Sequence, residues 1–133
     1  MEQGLQEINS VQGVQGSLVC DNQGAVFASG PPEGVEEQGL EEICRHCLDA
    51  LSAVEMVQEP VEELDLKFPE YRVLVRDYQT HLLLILCSPR VNPSLVRLSV
   101  NVVTAQWKED QAIQRRIEKH QQPRPQVWLQ EES

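Results

Sequence analysis

Apolar residues recur along this chain with two periods, and the switch from one to the other marks out its elements. Leu5, Ile8 and Val11 stand three apart with polar residues between them, which predicts a short amphipathic helix ending before Gly13. Residues 17–20 and 25–28 are short apolar runs separated by Asp21-Asn22-Gln23-Gly24. Asn and Gly accept positive φ and Asp bonds its own backbone, so this spacing predicts a β-hairpin. Two glycines and two prolines within 29–34 then interrupt any ladder or helix. Beyond them Leu40, Ile43, Cys44, Cys47, Leu48, Leu51 and Val54 return every three or four positions. That stripe predicts one long helix over 35–57, with Pro60 just past its end.

Alternation takes over at Leu64, Leu66 and Phe68, the pattern of a strand with one wet face. A turn at Pro69-Glu70 leads to a second strand over 71–75, and 76–80 reads as the next turn. Residues 81–87 are nearly all apolar, as a central strand buried on both faces requires. A loop over 88–93 follows, with Asn92 or Ser94 placed to cap a last helix. On that helix Leu95, Leu98, Val102, Ala105 and Trp107 are expected to line the buried face, and the charged stretch 108–119 to continue it. The order is α-β-β-α-β-β-β-α: an α/β domain with one five-stranded antiparallel sheet flanked by helices. The expected organisation is a domain over 1–105, a helical extension of the last helix over 106–120, and a flexible tail over 121–133.

With 133 residues, 41% of them hydrophobic, the chain can fill one core and not two. Its 21 acidic residues against 11 Lys and Arg give a net charge of -10, which repels phosphate backbones and anionic lipid alike. No nucleic acid partner and no direct membrane insertion are therefore expected. The longest apolar run, Leu82 to Cys87, is six residues, against the ~20 that span a bilayer. The opening MEQGLQEINS has no basic segment followed by an apolar one, and Glu2 stands where myristoylation needs glycine. The expectation is a cytoplasmic protein with Cys20, Cys44, Cys47 and Cys87 reduced.

Cys44-Arg45-His46-Cys47 is the most conspicuous chemical motif. A zinc site needs a second pair of ligands at matching spacing, and a redox pair belongs at a helix N-terminus. Here both thiols lie in mid-helix on the apolar stripe, so they read as small core residues. His46, His81 and His120 have no nucleophile or carboxylate beside them at a telling spacing, and no glycine-rich loop leads into a Lys-Ser or Lys-Thr pair. No catalytic, metal or cofactor residue is assigned. Two alternatives stay open: a thiol or metal protein using Cys44 and Cys47, and a small-ligand sensor with a pocket between sheet and helices. Arg90 and Arg97, beside the loop entering the last helix, and Trp128, alone in a polar tail, are the candidates for contacting a partner.

The binding expectation rests on the strand at 64–68. It follows a crossover from the long helix, is short, and is flanked by Pro60, Glu62, Glu63 and Pro69, which trim it without covering it. A strand at a sheet margin leaves N–H and C=O groups open to another chain. Two copies joined there form one continuous sheet across a two-fold axis.

Several segments together resemble the roadblock-type family. Leu5-Gln6-Glu7-Ile8 leading into Gly13-Val14-Gln15-Gly16-Ser17-Leu18-Val19 is similar to the opening of roadblock-type dynein light chains. Asp21-Asn22-Gln23-Gly24 with residues 25–29 looks like that family's first hairpin, and 71–86 like its paired fourth and fifth strands. Asn92-Pro93-Ser94-Leu95-Val96-Arg97-Leu98 resembles the start of the last helix in bacterial relatives that regulate a Ras-like GTPase. The likeness spans roughly residues 5–105. It implies a fold related to longin- and profilin-like layouts, no enzymatic activity, no cofactor, and dimerisation through the third strand and the long helix. The partner implied is the same chain or another roadblock-like chain, within a dynein, Ragulator-type or small-GTPase assembly that recruits it to cytoskeleton or lysosomal surface. Residue by residue it puts Leu64, Leu66 and Phe68 on the dimer-edge strand and Leu40, Ile43, Cys47 and Leu51 on the long helix. That stripe must also cover the sheet, so each of its side chains serves either core or partner. The proline-rich loop at 30–34 and the extension over 107–133 depart from the family pattern.

Overall fold

The computed structural model describes residues 1–57 and 61–121. Its elements run α1 (Glu2–Asn9), β1 (Val14–Asp21), β2 (Val26–Gly30), α2 (Glu37–Val57), β3 (Glu63–Lys67), β4 (Arg72–Asp77), β5 (His81–Cys87), α3 (Pro93–Glu109) and α4 (Gln111–Lys119). The five strands form one sheet in the order β2-β1-β5-β4-β3, antiparallel at every pairing. This is the expected sheet and the expected order of elements, with α4 as an addition.

Local chemistry accounts for the elements. The Asp21 carboxylate accepts from the backbone N–H of Gln23 and Ala25 at 2.8 and 3.0 Å, and Gly24 takes φ +87°, so the first hairpin turns where its polar tetrad stands. Asn92 caps α3 by accepting from the Ser94 N–H at 3.0 Å, with Pro93 at the first helical position. β5, apolar from Leu82 onward, is buried at all seven positions in the centre of the sheet.

The core has two halves, one on each face of the sheet. On one face α2 lays Leu40, Cys44, Cys47 and Leu51 over Leu18, Cys20, Val73, Val75, Leu82, Leu84 and Leu86. On the other, α1, α3 and α4 cover Val19, Leu83, Ile85 and Cys87 with Leu5, Ile8, Val96, Val100, Val103, Trp107 and Ile117. Gly4 lets α1 cross α3 closely, since a Cβ there would stand 2.6 Å from Val103 and 2.7 Å from the Trp107 indole nitrogen.

Two expectations are corrected here. The last helix does not run on to Lys119: it stops at Asp110, which leaves helical geometry and starts α4 by capping Ile113 N–H at 3.2 Å. α3 also faces the other way. Its buried stripe is Val96, Val100, Val103 and Trp107, while Leu95, Leu98, Val102 and Ala105 are exposed; of the expected set only Trp107 is inside. No described helix is long and apolar enough to cross a membrane.

Candidate protein-interaction site

β3 ends the sheet, and its backbone shows which groups it offers. The Asp77 N–H donates to Glu62 C=O and the Phe68 N–H to Tyr71 C=O, so the even-numbered residues of this segment bond inward to β4. The odd ones, Glu63, Asp65 and Lys67, therefore turn their N–H and C=O outward. Among the described residues nothing bonds those outward groups.

Side chains divide the strand between its two faces. Leu64 and Leu66 lie half-buried on the α2 face, with Val61 and Tyr71, and the Phe68 and Tyr71 rings stack at 4.7 Å. Phe68 itself is 41% exposed. Glu63 and Asp65 share the opposite face with arginines from β4 and α3. Arg72 forks onto the Asp65 carboxylate, and those hydrogen bonds hold Asp65 below the usual carboxylate range. Arg76 reaches Glu63 at 2.5 Å and Asn101 at 2.5 Å, and Arg97 stands 3.4 Å from the other Glu63 oxygen. These pairs sit under the edge without crossing it. A groove of about 190 Å³ opens beside them, with Leu74, Ile85, Val96 and Val100 in its lining and Glu63, Arg76 and Arg97 among its polar groups.

The other anticipated site residues fall in several places. Leu40, Cys47 and Leu51 are spent on the core between α2 and the sheet, and Ile43 packs half-buried at its margin. The structure brings Leu64 and Leu66 against the same apolar cluster as those four. Arg90 is exposed in the loop before α3. Trp128 lies outside the described residues. Cys44 and Cys47 face the sheet rather than solvent, and burial pushes the Cys47 thiol up to about 12, which leaves it protonated and unreactive at neutral pH. Among the described residues no group of three His, Cys, Asp or Glu side chains converges to hold a metal.

What sequence reasoning missed is the ion-paired face beneath the edge. Arg72 falls within the expected strand over 71–75 and Arg76 opens the expected turn over 76–80, and cross-strand register sets them against Lys67 and Glu63. The alternation of acids with Leu64 and Leu66 was the available signal, since a strand with one apolar face turns its intervening residues together to the other.

No protein-family model matches the chain, and no curated protein matches it in sequence. Solved structures do match. A Roadblock/LC7 domain from Streptomyces avermitilis superposes with a TM-score of 0.67 at 8% identity, covering 82% of this chain and 95% of that one. A gliding protein MglB from Thermus thermophilus gives 0.67 at 15% identity over 88% and 87%, and an MglB described in a tetrameric arrangement gives 0.67 at 15% over 89% and 88%. At such identities the likeness is one of backbone. The chain has the roadblock fold.

Proposed function

We propose that this chain is a non-enzymatic scaffold or regulatory subunit that dimerises along β3, with its own copy or with another roadblock-like chain. The joined pair then presents a composite surface to a Ras-like small GTPase or to a dynein- or Ragulator-type assembly. The observation that carries this reading is the outward row of Glu63, Asp65 and Lys67 backbone groups, a ready template for another strand.

Pairing there would extend the apolar face of each copy. Leu64, Leu66 and Phe68 stand at the seam, and Ile43 lies beside them on α2, so the same event that satisfies backbone groups also buries aliphatic area. The exterior of α2 supplies direction: Glu37, Glu42 and Asp49 are exposed and steer basic partner surfaces. The likeness to MglB structures, one of them in a tetrameric arrangement, supports an assembling role. We place the protein in the cytoplasm, brought to cytoskeleton or lysosomal surface through its partners.

Sedimentation of the purified chain combined with capture of its native complex tests the reading. A dimer, or co-purification of a single roadblock-like chain together with a small GTPase or motor subunits, is expected. A chain that stays monomeric and retains no such partner would overturn it.

A further inference from the structure

Two apolar stripes run along α3. Val96, Val100, Val103 and Trp107 face the sheet, while Leu95, Leu98 and Val102 point away from it at 49%, 63% and 57% exposure, with Ala105 exposed in line with them. Their spacing of three, four and three is that of alternating a and d positions in a coiled-coil seam. The positions flanking that seam are Ser94, Ser99, Asn101 and Gln106, all uncharged, then Lys108. In a chain of net charge -10, α3 carries a single acid, Glu109, at its last residue. Two copies approaching through this helix meet little like-charge repulsion.

We propose that α3 is a second self-interface, in which two copies pair these helices antiparallel about a two-fold axis, apart from the β3 edge. Antiparallel register sets Leu95 opposite Ala105 and Leu98 opposite Val102 of the other copy, large against small in each layer. It also brings Glu109 towards the N-terminal end of the partner's α3, where the helix dipole favours an acid. Parallel pairing would set Leu on Leu, Ala on Ala, and the two Glu109 carboxylates together. The contact is self-complementary and closes on itself. Four side chains per helix fall short of the ~1,200 Å² of a stable free-standing interface, so the seam is weak alone and acts by doubling an existing assembly.

Sedimentation equilibrium of the full chain tests this with Leu98→Glu, Val102→Lys, their equimolar mixture, and Leu66→Asp. The native chain should show a concentration-dependent step that doubles its mass. Leu98→Glu and Val102→Lys should each weaken that step roughly tenfold or more. Their mixture should regain it, because only antiparallel pairing sets the two substituted positions face to face. Leu98 is exposed, so an unchanged circular dichroism spectrum and melting temperature are expected for its variant. Absence of the step in the native chain, its persistence in Leu98→Glu, or no gain in the mixture would each overturn the proposal. Leu66→Asp should leave the step intact while altering the smaller assembly; an effect of Leu98→Glu without one of Leu66→Asp would leave the α3 seam standing and remove the β3 dimer.

Discussion

The two margins of the sheet are treated differently. At the β2 margin, Arg116 of α4 donates to the Phe27 carbonyl and forks onto Glu2 at 2.7 and 2.6 Å, while the His120 ring stacks on Phe27 at 4.3 Å. Asn9 of α1 donates to the Gly30 carbonyl at 3.0 Å, and the Pro31-Pro32 turn lies so close to Gly16 that a Cβ there would stand 2.5 Å from the Pro32 nitrogen. At the β3 margin the ion pairs Arg72–Asp65 and Arg76–Glu63 brace a face, and nothing among the described residues spans the edge. Edge strands are hazards that proteins blunt or use. One margin is covered by side chains of α1 and α4 and the other, among the described residues, is not, and the pairing proposed above uses that difference.

The comparison breaks most sharply at β3. Leu66→Asp places a charge on the apolar side of the edge and is expected to convert an associated chain into its separated subunits in sedimentation. Because Leu66 also packs on the α2 core, Asp65→Pro serves as a second variant, which spares that core and gives up the partly exposed ion pair with Arg72. It removes an outward N–H, a position where an edge strand tolerates proline, and leaves the β4 ladder whole. Both variants should weaken association, with the spectrum of Asp65→Pro close to native. Unchanged sedimentation of both would mean that the open margin is not the joint.

Much of this fold was legible because its signals are local. The α2 stripe has one apolar face, β5 has no polar interruption, and Asp21 to Gly24 carries its own turn chemistry. α3 was misread because it has two apolar stripes, and periodicity says that a face is apolar without saying which face meets the sheet. Leu95, Leu98, Val102 and Ala105 fit helical spacing as well as Val96, Val100, Val103 and Trp107 do. The break at Asp110 left a fainter mark, a capping residue inside a polar run. The closed β2 margin was out of reach, since Arg116 and Glu2 are 114 positions apart. The edge itself was visible in alternation at 64–68, but the separation of Leu40, Cys47 and Leu51 into the core needed the third dimension.

Acid offers a second, smaller probe, and it acts near the closed margin. His81 is buried against Tyr78 at 5.0 Å and Phe27 at 6.5 Å between ring centres, with the Thr80 hydroxyl 2.8 Å from Nδ1. Burial brings its pKa down from 6.5 to about 4, with Asp77 pulling the other way. The unfolded chain thus takes up this proton first. Stability from the neutral ring is complete above pH 6.5 and is lost as pH falls from 6.5 towards 4. Melting temperature should decline over that window, and His81→Gln should flatten the decline. An equal slope in the variant would assign it to other groups.

Arg116→Ala bears on the closed margin directly, with the smallest expected effect. Its fork to Glu2 is partly exposed, and such pairs contribute ~1 kcal/mol or less after solvent screening, so most of the loss comes from the donation to Phe27 C=O. The expected fall in melting temperature is about 3–6 °C. Arg116 hydrogen bonds bring the Glu2 carboxyl from 4.5 to about 2, so the contribution of this pair is present above pH 4.5 and fades as pH falls towards 2. The gap between native and variant should therefore narrow below pH 4.5 and persist in part, because the carbonyl contact does not titrate with Glu2. Arg116→Lys should fall between the two, keeping the charge but losing the planar fork that reaches Glu2 and Phe27 together. If Arg116→Lys equals the native chain, charge alone holds this margin and the bidentate geometry contributes nothing.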